Sequence, residues 1–173
     1  MESKVSIGKH PIHPMLVSFP IAFFTFSLVC DFLFYGNAGS APYNWLTFSN
    51  LLIGAGIITA LAAAVAGFID LLNLPAGSRA RRLGYWHMGL NLTVVTMFAV
   101  NLSLRTLATG NTAPIAEALS SAGVWLLVVS GWLGGSMVFE EGVGVEAKAE
   151  RRGTAAPVMP GKEEERPKFP KAA

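Results

Sequence analysis

Three histidines, His10, His13 and His87, carry the side chains best suited to bind a metal near neutral pH. Neutral imidazole ligates haem iron, zinc and copper. Two of the three lie in His10-Pro11-Ile12-His13-Pro14, and a residue before proline is biased towards extended backbone. The expectation is a stiff, non-helical approach that folds back over the mouth of whatever follows. His87 is the sixth residue counted from Arg82, about 7 Å into a helix at 1.5 Å per residue. Three readings are open. His13 and His87, from different elements, could be axial ligands of a haem b, with His10 as alternate or supporting ligand. His10, His13, His87 and Asp70 could instead hold a divalent metal. In the haem reading Asp70 is the group expected to orient an imidazole. The plain alternative is structural, with His87 bonded to Asp70 and no ligand at all. Covalent haem is excluded, because no Cys-x-x-Cys-His occurs, and three histidines near one side cap the chain at one haem.

These residues sit among long apolar spans. Of the 173 residues, 52% are hydrophobic and 14% are charged, about half the charge of an ordinary soluble domain. No Asp, Glu, Lys or Arg occurs in 10–30, 32–69, 83–104 or 118–139. About 20 apolar residues cross the hydrocarbon of a bilayer, so each gap holds one transmembrane helix. The fold class is therefore all-α, a polytopic four-helix transmembrane bundle, with spans at about 14–34, 45–72, 83–104 and 115–139. This excludes an ordinary soluble enzyme, a nucleic-acid binder and a secreted disulfide scaffold. The lone Cys30 has no internal partner. Residues 1–13 form an N-terminal segment, 14–145 the membrane domain, and 146–173 a charged, proline-containing tail expected to be disordered.

Orientation follows from charge. Twelve of the 13 lysines and arginines flank the spans on one side: Lys4, Lys9, Arg79, Arg81, Arg82 and seven in the tail. Only Arg105 lies on the other. The positive-inside rule then puts both termini in the cytoplasm.

Small and polar residues must hold the helices together, since lipid removes the hydrophobic drive. Gly56, Ala60, Ala63, Gly67 and Asp70 line one face of the second span, and Gly123, Gly131, Gly134 and Gly135 mark the fourth. His87, Asn91, Val94, Phe98, Asn101 and Arg105 share a face of the third, so Asn91, Asn101 and Arg105 are expected to be structural polar residues. Asp31, Arg105 and Glu117 can pair at the end away from the histidines. Pro20 removes a backbone bond to Leu16 and predicts a kink there.

No nucleophile–base pairing and no phosphate-binding glycine loop occurs, so catalysis by this chain alone is not expected. The stretch His10-Pro-Ile-His-Pro-Met-Leu-Val-Ser-Phe-Pro-Ile, with Gly67-Phe-Ile-Asp70, His87 and Gly131-Trp-Leu-Gly-Gly-Ser-Met-Val-Phe, resembles a bacterial membrane family catalogued as domain of unknown function 2231. The resemblance covers about Gly8 to Val145 and implies four membrane helices in a bacterial inner membrane. Members commonly carry a third histidine where this sequence has Ser18. Some relatives are fused to Rieske iron–sulfur or cytochrome c modules, which implies a redox neighbourhood. Any such electron partner of this chain would be a separate protein.

Overall fold

The computed structural model describes residues 3–8, 10–36, 44–108 and 112–145. The tail from residue 146, expected to be disordered, lies outside the described residues. Two short strands, β1 (Ser6–Ile7) and β2 (His10–Pro11), pair antiparallel, with Gly8 at φ 56° in the turn between them. Five helices follow: α1 (Ile12–Leu16), α2 (Ser18–Gly36), α3 (Trp45–Leu72), α4 (Arg79–Leu107) and α5 (Ala113–Phe139). Taking α1 and α2 as one segment, four spans are long and apolar enough to cross a bilayer. The protein is a four-helix membrane bundle.

The helix ends follow local chemistry. Asn44 caps α3 by accepting from the Thr47 amide, and Ser78 caps α4 by accepting from the Arg81 amide. Both supply a side-chain oxygen to an otherwise unpaired first-turn N–H. Gly77, at φ 76°, turns the chain between α3 and α4 in a conformation that suits glycine. Arg79 opens α4 four residues ahead of the apolar stretch, because Ser78 starts the helix before the charge ends.

The kink expected from Pro20 lies one turn earlier, as a break at Val17 between α1 and α2. Proline cannot donate to the carbonyl of Leu16, and the helix gives way there. One expectation fails. His13 is not in an extended approach but is the second residue of α1. Pro14 still falls in the first turn, where its missing N–H leaves no bond unmade, so the preceding residue can be helical. Only His10 and Pro11 are extended.

Each helix packs on two neighbours: α2 on α3 and α5, and α4 on α3 and α5. That leaves α2 and α4 facing each other across the centre. There the Phe24 and Phe98 rings stack with centroids 4.0 Å apart and planes 8° from parallel. With Ile53 and Val94 they form a fully buried apolar centre. Glycine makes this possible. A Cβ on Gly56 would lie 2.5 Å from the Phe24 ring, and one on Gly123 would lie 2.7 Å from Phe98.

Candidate functional site

His13 and His87 meet at the end of the bundle that carries the β-hairpin. Their ring centroids are 6.3 Å apart and their planes nearly perpendicular, at 86°. Each imidazole is fixed through its Nδ1. His13 Nδ1 lies 2.8 Å from the Ala63 carbonyl of α3, and His87 Nδ1 lies 2.9 Å from the Ser130 carbonyl of α5. A carbonyl only accepts, so each Nδ1 carries a proton. In the neutral ring Nε2 then keeps its lone pair. Holding one ring nitrogen on a carbonyl to present the other is the arrangement that orients metal-ligating histidines.

Glycine again makes the seats. A Cβ on Gly67 would fall 2.7 Å from two atoms of the His13 ring, and one on Gly134 would fall 3.2 Å from His87. Asn91 tightens the second seat. Its amide donates to the His87 carbonyl at 2.8 Å and to Ser130 Oγ at 2.7 Å. The Ser130 hydroxyl oxygen itself sits 3.1 Å from His87 Nδ1.

The other residues named from the sequence fall elsewhere. His10 is exposed, and its Nδ1 bonds the Gly8 carbonyl of its own turn at 2.9 Å. Asp70 orients no imidazole. Its oxygens accept from Ser3 Oγ at 2.7 Å, from the Lys4 amide at 2.8 Å and from the Val5 amide at 3.2 Å. The carboxylate at the end of α3 thus moors the N-terminal segment, and both imidazoles are already satisfied by carbonyls. The expected bond between His87 and Asp70 is not made. Nor do His10, His13, His87 and Asp70 assemble: among the described residues, no three of His, Cys, Asp or Glu come together as a metal-holding group.

A third contact closes this end. Arg79, first residue of α4, bonds Glu140 at 2.9 Å and Glu141 at 2.7 Å, just beyond α5. Hydrogen bonds from Ser136 and from Arg79 hold the Glu140 carboxyl below its usual range.

Of the three charges expected to pair at the opposite end, Asp31, Arg105 and Glu117, the first two form an ion pair. Both are almost fully buried, with Arg105 Nη1 and Nη2 each 2.6 Å from a different carboxylate oxygen. Ser49 donates to Asp31 at 2.7 Å, Ser120 donates to it at 3.1 Å, and Asn101 Oδ1 accepts from Arg105 Nε at 2.6 Å. Asn101 also donates to Ser120 Oγ and to the Ala116 carbonyl. A charge in lipid is tolerated only when paired and turned inward, and this network does both.

Sequence reasoning overlooked Ser49 and Ser120, although a serine one helix away from a lone charge in an apolar span was a usable signal. It also overlooked the carbonyls of Ala63 and Ser130, for which no side-chain signal exists. The glycines were read as helix-contact residues; four of them are seats for aromatic rings.

No curated protein and no solved structure matches this chain. A family described as a predicted membrane protein, DUF2231, matches residues 9–147. The matched stretch takes in the second strand of the hairpin, both imidazoles and all four spans, and the chain belongs to that family.

Proposed function

We propose that His13 and His87 bind a single metal centre through their Nε2 atoms, and that the chain serves as a redox-associated subunit of a bacterial inner membrane. The observation that supports this is the matched anchoring of the two rings: the same nitrogen, on a carbonyl of a different helix in each case, with the other nitrogen left for a ligand. The two ring centroids are 6.3 Å apart, so one metal centre could be held by both imidazoles.

Haem iron is the form that suits this donor set. A structural zinc site takes four protein ligands, whereas a haem b takes two. The described residues offer no third His, Cys, Asp or Glu beside the pair. Haem would supply one-electron exchange near one membrane face. The chain's own residues would set the ring tautomers through Ala63 and Ser130 and hold the second ring with Asn91. The excess of basic residues flanking the spans at that end supports, by the positive-inside rule, a cytoplasmic face with both termini there. The separate electron partner would then be a Rieske-type or cytochrome protein docking there.

The test is an absorbance spectrum of the detergent-solubilised protein, oxidised and dithionite-reduced, with elemental analysis of the same sample. A sharp reduced band lost in both His13→Ala and His87→Ala supports haem. Stoichiometric metal without that band, lost in the same variants, moves the reading to a non-haem metal. A folded, colourless, metal-free protein that also fails to take up haem overturns both.

A structural role is the second reading, favoured by the close fit of each ring on a glycine. It expects both histidine variants to lose thermal stability and no cofactor.

A further inference from the structure

The contacts within α1–α3 recur within α4–α5. His13, Phe24, Ser27 and Asp31 stand 74 residues before His87, Phe98, Asn101 and Arg105. Ser49, Gly56, Ala63 and Gly67 stand 67 residues before Ala116, Gly123, Ser130 and Gly134. The two sets are joined by corresponding contacts. The first imidazole is anchored on the carbonyl at 63, the second on the carbonyl at 130. Gly67 and Gly134 seat those rings, and Gly56 and Gly123 seat the phenylalanines. Ser49 Oγ lies 3.1 Å from the Ser27 carbonyl, and Asn101 donates to the Ala116 carbonyl, so the same two positions meet in each half with side chain and carbonyl exchanged.

Between the halves, counterpart meets counterpart. His13 faces His87, Phe24 stacks on Phe98, and Asp31 pairs with Arg105. A residue that touches its own equivalent lies on a twofold axis, the mark of an isologous interface. Three such pairs strung from one end of the bundle to the other place that axis along its length.

We infer that the membrane domain is one helix-hairpin module used twice, residues 13–72 and 87–139, whose inner face is built to receive a second copy of the same module about this axis. Of the three pairs that meet across the axis, Asp31 and Arg105 alone differ in kind. Two identical modules would set like charge against like there, so acid against base selects the unlike half as partner. The inference does not depend on whether the imidazoles hold a metal.

It is tested on the whole chain by distances between spin labels in a Cys30→Ser background. Phe26 and Val100 are equivalent exposed positions of α2 and α4, and Val65 and Trp132 are equivalent exposed positions of α3 and α5. The pair 26/132 and the pair 65/100 are therefore expected to give coincident distance distributions. A circular permutant opened at Gly77, with the native tail joining residue 145 to the N-terminus, reverses the order of the modules. Pro11 lies 3.9 Å from where a Cβ on Gly144 would be, so residue 145 leaves the bundle beside the N-terminal hairpin. The permutant is expected to reach the membrane and give the same two distances. Unequal distances in either protein overturn the inference. Should the permutant not accumulate, the unpermuted chain decides alone: coincident distances uphold the twofold, and unequal ones remove it.

Discussion

Arg105 and Asp31 form a two-pronged ion pair inside the bundle, with both contacts at 2.6 Å and the carboxylate fully out of reach of solvent. Removing one partner leaves a bare charge in a low-dielectric interior, which costs about 3–5 kcal/mol. Asp31→Ala and Arg105→Ala are each expected to lower the melting temperature in detergent sharply and to reduce accumulation in the membrane. The double variant is expected to recover a large part of the loss, because no charge is then stranded. A double-mutant cycle on melting temperature checks this, and additive losses would contradict it.

The glycine seats predict a graded response. A Cβ at position 67 meets the His13 ring at 2.7 Å, a distance real Cβ contacts do not occupy, while one at 134 meets His87 at 3.2 Å. Overpacking of this kind costs about 1–3 kcal/mol. Gly67→Ala is therefore expected to displace its imidazole and to destabilise more than Gly134→Ala. Gly131→Ala, where nothing lies within 4 Å, is the silent control. Imidazole NMR shifts together with thermal melts read both effects, and equal responses at 67 and 134 would contradict the ordering.

Asp70 holds three donors of the N-terminal segment, two of them backbone amides. Hydrogen bonds to a charged group are worth about 1.5–3 kcal/mol each, less where solvent competes. Asp70→Ala is expected to free residues 3–11 while α3 persists. Faster amide exchange confined to those residues is the signature. Unchanged protection of Val5 would show that the hairpin is held by something else.

The membrane spans were legible because charge is missing from them, and the Asp31–Arg105 pair was legible because two lone charges in apolar helices have few places to go. The site was legible only in part. The type and side of His13 and His87 could be read, but their anchors are main-chain carbonyls, which every residue carries and no sequence marks. Asp70 misled for a related reason: its partners are mostly amides, so a carboxylate on a small-residue face looked like a partner for imidazole. His13 was placed in extended backbone because the pre-proline bias is real in general, yet it yields at a helix's first turn.

Arg79 with Glu140 and Glu141 supplies a pH prediction whose sign is fixed by the helix ends. A cation at the start of α4 and two anions at the end of α5 each oppose the local helix dipole, and pairing across the gap offsets both. Glu140 titrates below its ordinary value of 4.5 because hydrogen bonds from Ser136 and Arg79 favour its charged form. A depressed carboxylate contributes stability above its unfolded pKa and loses it as pH falls through the folded one. Between pH 7 and 5 the clasp is therefore expected to hold, and it is expected to open only below about 4.5. Amide exchange at Arg81 and Arg82 across that range follows the opening. Arg79→Gln removes both ion pairs and one of the two hydrogen bonds on Glu140, so Glu140 is expected to titrate at higher pH than in the parent, read from its carboxyl carbon NMR shift. A Glu140 that titrates at the same pH in the variant would show that Ser136, and not Arg79, sets the titration.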